Sequence, residues 1–319
     1  MQQGLLFQNA IIKARESALF GKDKMQRLSD APTVEEGVKI LLEGGYPAGN
    51  DYLEILAAAE KDAEEFFLES SVSGYGLECF SVLSDYHNAK VFAKEAFFGV
   101  TAECFKADGS IALSFLSEKI QKEEYDSLPS PMRVAFEKFK KENAAGSLAP
   151  SEIDKSLDRA AFEDISARMK KAHLVIRTYF ATYADLTNLS VAARSRNAGI
   201  SAADAEKGYL AGGEIPFQDL KRIVDLGLSE GADKIPMKPL YKKAIEALKE
   251  GVAPFEAFKE NALLAPFKKG RYDMFSPAPI VGFYLGKKRE IKNVRLIFAG
   301  IKNGVDREII KMRLREQYV

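Results

Sequence analysis

From Leu53 onward, apolar residues return at intervals of three and four through Leu56, Ala63, Phe66 and Phe67, while Glu54, Lys61, Glu65 and Glu69 fall between them. That period is one face of an amphipathic helix, so the first set is predicted as core and the second as solvated surface. Four segments, Thr33-Val34-Glu35-Glu36, Asp51-Tyr52-Leu53-Glu54, Ser151-Glu152-Ile153-Asp154 and Ser201-Ala202-Ala203-Asp204, place a capping side chain three residues ahead of an acid. This is the sequence pattern of a helix start, because the side-chain oxygen satisfies a free N–H and the acid favours the positive helix end. No run of alternating Val, Ile and Thr leads into an Asn-Gly or Asp-Gly turn, so strands have no strong candidate. The pattern predicts an all-α chain. Gly- and Pro-rich breaks such as Gly44-Gly45-Tyr46-Pro47, Leu128-Pro129-Ser130-Pro131 and Gly212-Gly213-Glu214-Ile215-Pro216 punctuate it without any low-complexity linker, which predicts domains packed tightly in series.

The helix stops repeat. Asn88 leads to Gly99-Val100-Thr101, Asn188 to Gly199-Ile200-Ser201, and Asn293 to Gly304-Val305-Asp306; each Gly lies eleven residues after its Asn and each Ser, Thr or Asp thirteen. Asn9 with Gly21-Lys22-Asp23 is a looser fourth copy, one residue longer. Three turns of helix ending at a left-handed Gly, an apolar residue packing back and a cap for the next helix would give this spacing. Asp85, Asp185 and Glu290 stand three residues before the full-copy asparagines, and Asp51 and Ser151 stand thirty-seven residues before Asn88 and Asn188. The phasing predicts three similar helical domains, 1–106 with an extra N-terminal helix, 107–212 and 213–319, each boundary movable by about ten residues. The Asn9 segment is left as a tail without a head, a piece that could close a ring. The asparagine amides are expected to satisfy backbone or side-chain partners where equivalent helices touch, with direct contact to a partner protein as the alternative.

Composition removes most catalytic readings. The 319 residues hold 46 Lys+Arg and 46 Asp+Glu, a formal charge of zero, so no global field marks a nucleic-acid or membrane-surface binder. Cys79 and Cys104 make neither a disulfide framework nor a C-x-x-C pair, which fits a reducing compartment. The N-terminus lacks the basic and apolar regions of a signal peptide, and no apolar run approaches the ~20 residues of a membrane span, so a soluble cytoplasmic chain is expected. Gly74-Tyr75-Gly76-Leu77-Glu78-Cys79 lacks the third Gly of a dinucleotide fingerprint, and Gly21-Lys22 lacks the rest of a phosphate-binding loop. His87 and His173 belong to no metal-ligand spacing. No catalytic, metal or cofactor site is expected.

Charge is nevertheless uneven. From Pro266 to Val319 there are 13 Lys+Arg against 5 Asp+Glu, a net +8, which leaves −8 for the rest. Lys287, Lys288, Arg289, Lys311, Arg313 and Arg315 form the candidate interface for an acidic partner. Read otherwise, Gly304-Val305-Asp306 would be the turn of a helix-turn-helix and the basic last helix would enter duplex DNA.

The stretch Pro277-Ala278-Pro279-Ile280-Val281-Gly282-Phe283-Tyr284-Leu285, followed by Glu290-Ile291-Lys292-Asn293-Val294-Arg295-Leu296-Ile297 and Lys302-Asn303-Gly304, resembles the ending of the C subunit of the archaeal and bacterial V/A-type rotary ATPases, the counterpart of the eukaryotic V-ATPase d subunit. Asp185-Leu186-Thr187-Asn188 with Arg194, Gly199-Ile200-Ser201 and Gly213-Glu214-Ile215-Pro216 resembles that family's central segment, and Asn9-Ala10 with Arg15 its opening. Near Asn188, where the family often carries a basic residue, stand Ser190, Val191 and Ala192. The resemblance implies a non-catalytic rotor subunit without cofactor. Its three helical domains would surround a pseudo-threefold funnel, seated on the proteolipid rotor ring at the cytoplasmic face of the membrane and receiving the central-stalk subunits, with no nucleic acid bound.

Overall fold

In the computed structural model, residues 2–101 and 104–319 are described. Among them lie sixteen α-helices and no strand: α1 (Gln2–Arg15), α2 (Lys22–Ser29), α3 (Val34–Glu43), α4 (Tyr52–Ser70), α5 (Glu78–Phe98), α6 (Leu113–Gln121), α7 (Ser130–Ala144), α8 (Pro150–Arg168), α9 (Leu174–Asn197), α10 (Ala202–Glu206), α11 (Phe217–Leu226), α12 (Leu228–Asp233), α13 (Pro239–Glu250), α14 (Val252–Lys269), α15 (Ala278–Lys302) and α16 (Arg307–Arg313). The fold is all-α. By contact, the chain divides into two compact units, one of Met1–Ser73 with Glu260–Val319 and the other of Gly74–Lys259.

The first unit joins the two ends of the chain in one core. Phe20, Leu28, Leu41, Ile55 and Leu56 pack with Ile291, Val294, Ile297, Phe298 and Ile310, all nearly inaccessible. Burying a side chain of this kind is worth ~1.5 to 3 kcal/mol, so the N-terminal segment is held by apolar burial and not by its connection alone. Along the same core α4 lies on α15, with Phe67 stacked on Tyr284 at 4.3 Å and Phe66 edge-on to Phe283 at 5.6 Å. Buried Glu64 meets Lys288 at 2.9 Å, and Glu60 meets Arg295 at 3.3 Å.

In the second unit α8 lies along α5, with Asp158 meeting Lys90 at 2.5 Å and Asp154 meeting Lys94 at 2.8 Å. Phe80 of α5 packs within 5.0 Å of both Tyr179 and Phe180 of α9. The remaining helices of this unit, α6, α7 and α10 to α13, are shorter.

Three of the four expected helix starts carry a side-chain cap: Thr33, Asp51 and Ser201 accept from the N–H groups of Glu36, Glu54 and Asp204. Ser151 does not, because Pro150 opens α8 and Ala149 precedes it; proline at the first turn loses no hydrogen bond and presets φ, which moves the start two residues toward the N-terminus. In α4, Leu56, Ala63, Phe66 and Phe67 are buried but Leu53 is 51% exposed. Its place in the inner face is taken by Ile55 and Ala59.

At the corners Gly99, Gly199 and Gly304 have φ of +65°, +67° and +65°. The N–H of Ile200 and of Val305 donates to the carbonyl five residues back, the bond that closes a helix through a left-handed stop. The apolar residue after each Gly does not pack back as expected: Val100, Ile200 and Val305 are 53%, 41% and 40% exposed. The helix expected after Thr101 falls partly on residues outside the described ones. Gly21 is no fourth corner either; its φ is −75° and it simply precedes α2, after a short 3-10 turn at Glu16–Ala18.

Candidate functional site

The three repeat asparagines share one bonding scheme. Asn88 Nδ2 donates to the Lys106 carbonyl at 3.0 Å while the Lys106 N–H donates to Asn88 Oδ1 at 2.8 Å. Asn188 does the same with Leu210 at 2.9 and 2.8 Å, and Asn293 with Arg315 at 2.9 Å each way. In each case a buried side-chain amide satisfies both main-chain groups of one residue, as a neighbouring strand would, and so fixes the segment that returns after the corner. The amides thus meet backbone, one of the two kinds of partner expected, but on a non-helical segment and not on a second helix. Asn9 is different: its Nδ2 donates to the Met274 and Ser276 carbonyls at 2.9 and 3.0 Å, and it clamps no single residue in both directions.

One turn before each clamp a buried carboxylate holds the next stretch of chain. Asp85 accepts from the Ile111 N–H at 2.8 Å and the Ser110 hydroxyl at 2.6 Å. Asp185 accepts from the N–H groups of Glu214 and Ile215, both at 2.9 Å, and from the Tyr241 hydroxyl at 2.6 Å. Glu290 accepts from the Phe20 N–H and the Tyr46 hydroxyl, both at 2.6 Å, and pairs with Lys287 at 2.6 Å. Burial pushes the Asp85 and Asp185 carboxyls above the ordinary range, against the hydrogen bonds they accept. Burial, then Glu290, holds the Tyr46 hydroxyl well above its usual value.

The glycines ahead of these loops explain part of the sequence. A Cβ at Gly109 would come within 2.8 Å of Asp85 Oδ1, and one at Gly213 would collide with the Asp185 carboxylate. Ala18 stands two residues before Phe20, where Gly109 and Gly213 stand before Ile111 and Ile215. There the acid is Glu, whose longer side chain reaches the loop without so close an approach. The N-terminal segment thus does for α15 what residues 213–241 do for α9.

The six basic candidates are mostly consumed within the first unit. Lys288 pairs with Glu64; Lys287 pairs with Glu290 and lies 3.9 Å from the Tyr46 ring centre. Arg289 is 9% exposed and donates to Asn261 Oδ1 at 3.0 Å and to the carbonyls of Glu260 and Glu316. Lys311 pairs with Asp30 at 2.9 Å and Arg315 with Glu260 at 3.1 Å. Arg313 is exposed and, among the described residues, has no carboxylate within 4 Å. The same geometry does not favour the helix-turn-helix reading. The last helix, α16, has seven residues, buries Ile310 against Gly300 and has Lys311 paired with Asp30.

The other candidate groups have structural duties. His173 caps α9 by accepting from the Val175 N–H at 3.3 Å, and His87 bonds the Cys104 carbonyl at 2.7 Å. Burial pushes the Cys79 thiol up to about 12, which keeps it from acting as a thiolate nucleophile. Sequence reasoning missed Tyr46, Tyr241 and the clamped residues Lys106 and Leu210, and named Arg315 only for its charge. The clamp partners contribute main-chain atoms, which leave no side-chain signal. The G-x-I of Gly109-Ser110-Ile111 and Gly213-Glu214-Ile215 was the visible trace of the carboxylate loops.

Residues 8–313 match the model of the ATP synthase (C/AC39) subunit family. The chain is 22% identical to the C subunit of the V-type sodium ATPase of Enterococcus hirae, covering 97% of this chain and 98% of that one. It is 24% identical to the C subunit of the A-type ATP synthase of Methanocaldococcus jannaschii over 92% and 81% of the two chains, and 20% identical to that of Desulfurococcus sp. over 96% and 89%. The chain belongs to the ATP synthase C/AC39 subunit family, non-catalytic components of V- and A-type ATPases.

Proposed function

We propose that this protein is the socket of a rotary ion-translocating ATPase, coupling the central-stalk subunits to the proteolipid rotor ring and passing torque between them. It would sit peripherally on the cytoplasmic face, meeting the membrane through the ring; no helix among the described residues is long and apolar enough to cross it. The observation that carries the reading is the threefold recurrence of the amide clamp and its carboxylate in a member of this family. A part that transmits torque must resist twisting, and a side chain that fixes both main-chain groups of a returning segment removes a bending freedom at each corner. The same recurrence supports three similar helical domains around a funnel, near 1–106, 107–212 and 213–319. The test is co-purification of the tagged chain with rotor-ring and central-stalk subunits, together with ATP-driven ion pumping by complexes lacking it. Retention of both partners and loss of coupled pumping on its removal are expected. Pumping that stays coupled without the chain would overturn the proposal.

A further inference from the structure

Along the second unit runs an open groove of about 530 Å³, walled by one stripe of α9 and its C-cap (Tyr183, Thr187, Val191, Arg194, Ala198) and one of α8 (Ser151, Lys155, Asp158, Phe162). The α9 residues follow each other at three and four positions, a single helical face. From Tyr183 to Ala198 this face is roughly 22 Å long at 1.5 Å per residue, room for about four turns of another helix. Phe162 and Tyr183 stack at 5.4 Å on its floor, and Ile200, held out by the Gly199 corner, stands 41% exposed at its edge.

The structure also records what covers the matching face elsewhere. On α5, Lys90 and Lys94, two and six residues after Asn88, are met by Asp158 and Asp154 of α8. On α15, Arg295, two residues after Asn293, and Lys288 are met by Glu60 and Glu64 of α4. Both covering helices carry acids four residues apart and large apolar or aromatic neighbours. On α9 the corresponding positions are Ser190 and Arg194, and Arg194 Nε reaches only the Ser190 carbonyl, at 3.4 Å. Among the described residues neither Arg194 nor Lys155 has a carboxylate within 4 Å, whereas the acids of the lining are engaged: Asp154 by Lys94, Asp158 by Lys90 and Asp204 by Lys207. At the far end Lys259 already bonds the Thr187 hydroxyl at 2.7 Å and lies 4.5 Å from the Tyr183 ring centre, so the vacant part runs from Val191 to the α10 corner.

We infer that this groove is a docking site for an amphipathic helix of a partner protein in the complex, one carrying acidic residues a turn apart toward Arg194 and Lys155 and apolar residues toward Tyr183, Val191 and Ile200. The inference deepens the socket reading and rests on it for the partner. Helix-in-groove recognition supplies its mode, with apolar anchors for affinity and the charge pair for register.

The probe is a labelled synthetic peptide with the sequence of residues 149–168, the helix that covers α5, titrated against the full-length protein by fluorescence anisotropy. Arg194→Glu should weaken binding at least tenfold, and a peptide with its two α5-facing acids, Asp154 and Asp158, changed to Lys should bind the Arg194→Glu protein better than the wild type. The unmodified peptide should also compete with purified central-stalk subunits. Circular dichroism controls for folding, and Arg196→Glu, outside the groove lining, should leave binding unchanged. No saturable binding, equal binding to wild type and Arg194→Glu, failure of the charge swap to restore affinity, or a small organic anion that fills the site without competing with the peptide would each overturn the proposal. The peptide titration needs no other component of the complex, so its failure would sink the groove and leave the socket standing; loss of co-purification with a working groove would do the reverse.

Discussion

Replacing Asn188 by Ala tests the clamp where it is most enclosed. Both of its bonds to Leu210 are buried, and Leu210 is 4% exposed, so the substitution strands a main-chain N–H and a carbonyl where water has little access. Each orphaned group costs ~1 to 3 kcal/mol, which gives about 2 to 5 kcal/mol together. For a unit of this size a kcal/mol moves the melting temperature by ~2 to 4 °C, so a fall of at least ~4 °C is expected. Asn188→Asp separates the clamp from a simple loss of volume. Aspartate keeps an acceptor for the Leu210 N–H but turns a second oxygen toward the Leu210 carbonyl, and at neutral pH it should be no milder than Ala. Asn197→Ala, at an exposed position, is the control and should change stability by less than ~0.5 kcal/mol. The measurement is urea and thermal unfolding of the three variants followed by circular dichroism. If Asn188→Ala and Asn188→Asp both unfold with the wild type, the clamp contributes nothing and the repeat has no mechanical meaning.

Three further outcomes follow from the geometry. A Cβ at Gly199 or Gly304 meets nothing within 4 Å, so Gly→Ala there should cost only the left-handed backbone, ~1 to 2 kcal/mol, and Gly→Asn distinctly less; equal melting of Ala and Gly proteins would contradict this. Lys288→Glu leaves buried Glu64 facing a second acid and should destabilise the first unit by several kcal/mol, whereas Arg313→Glu should leave the denaturation curve unchanged, so only Arg313 remains useful for testing contact with an acidic partner. Asp85 and Asp185 have folded-state pKa values raised above the unfolded ~3.9, so the folded state holds their protons more tightly. Their contribution to stability is full below about pH 3.9 and is lost as pH rises through the raised values; carboxyl NMR titration should show both midpoints above those of exposed aspartates.

How much was legible in the chain depends on which atoms carry the signal. Helix periodicity, the glycine corners and the asparagine spacing are written in side chains and backbone preference, and they could be read at Gly99, Gly199 and Gly304 directly. Which residues the asparagines hold was not, because the partners are the main-chain atoms of Lys106, Leu210 and Arg315, whose side chains have nothing in common. Charge misled in a different way. The basic count after Pro266 is real, but Lys288, Arg289 and Arg315 spend their charge on Glu64, on carbonyls and on Glu260, and a sequence does not say which acid from 200 residues earlier will arrive. Asn9 and Gly21 came within one residue of the spacing, but the 3-10 turn between them broke the geometry.

The two kinds of fastening serve different ends. Ion pairs such as Arg27 with Glu43 or Lys39 with Glu36 are exposed, screened by salt and worth little. The clamps are neutral, directional and buried, so their stiffness does not depend on ionic strength. Glu290 extends the same logic across the ends of the chain, because its donors, Phe20 and Tyr46, come from the N-terminal segment while Asp185 takes its donors from residues that follow it. Without residues 19–46 the carboxylate of Glu290 would lose both of these donors and Ile291, Val294 and Phe298 much of their cover. The start and the finish of the chain therefore stabilise one another, and a strain applied at one terminus is carried by the other through hydrogen bonds and packing rather than through the length of the polypeptide between them.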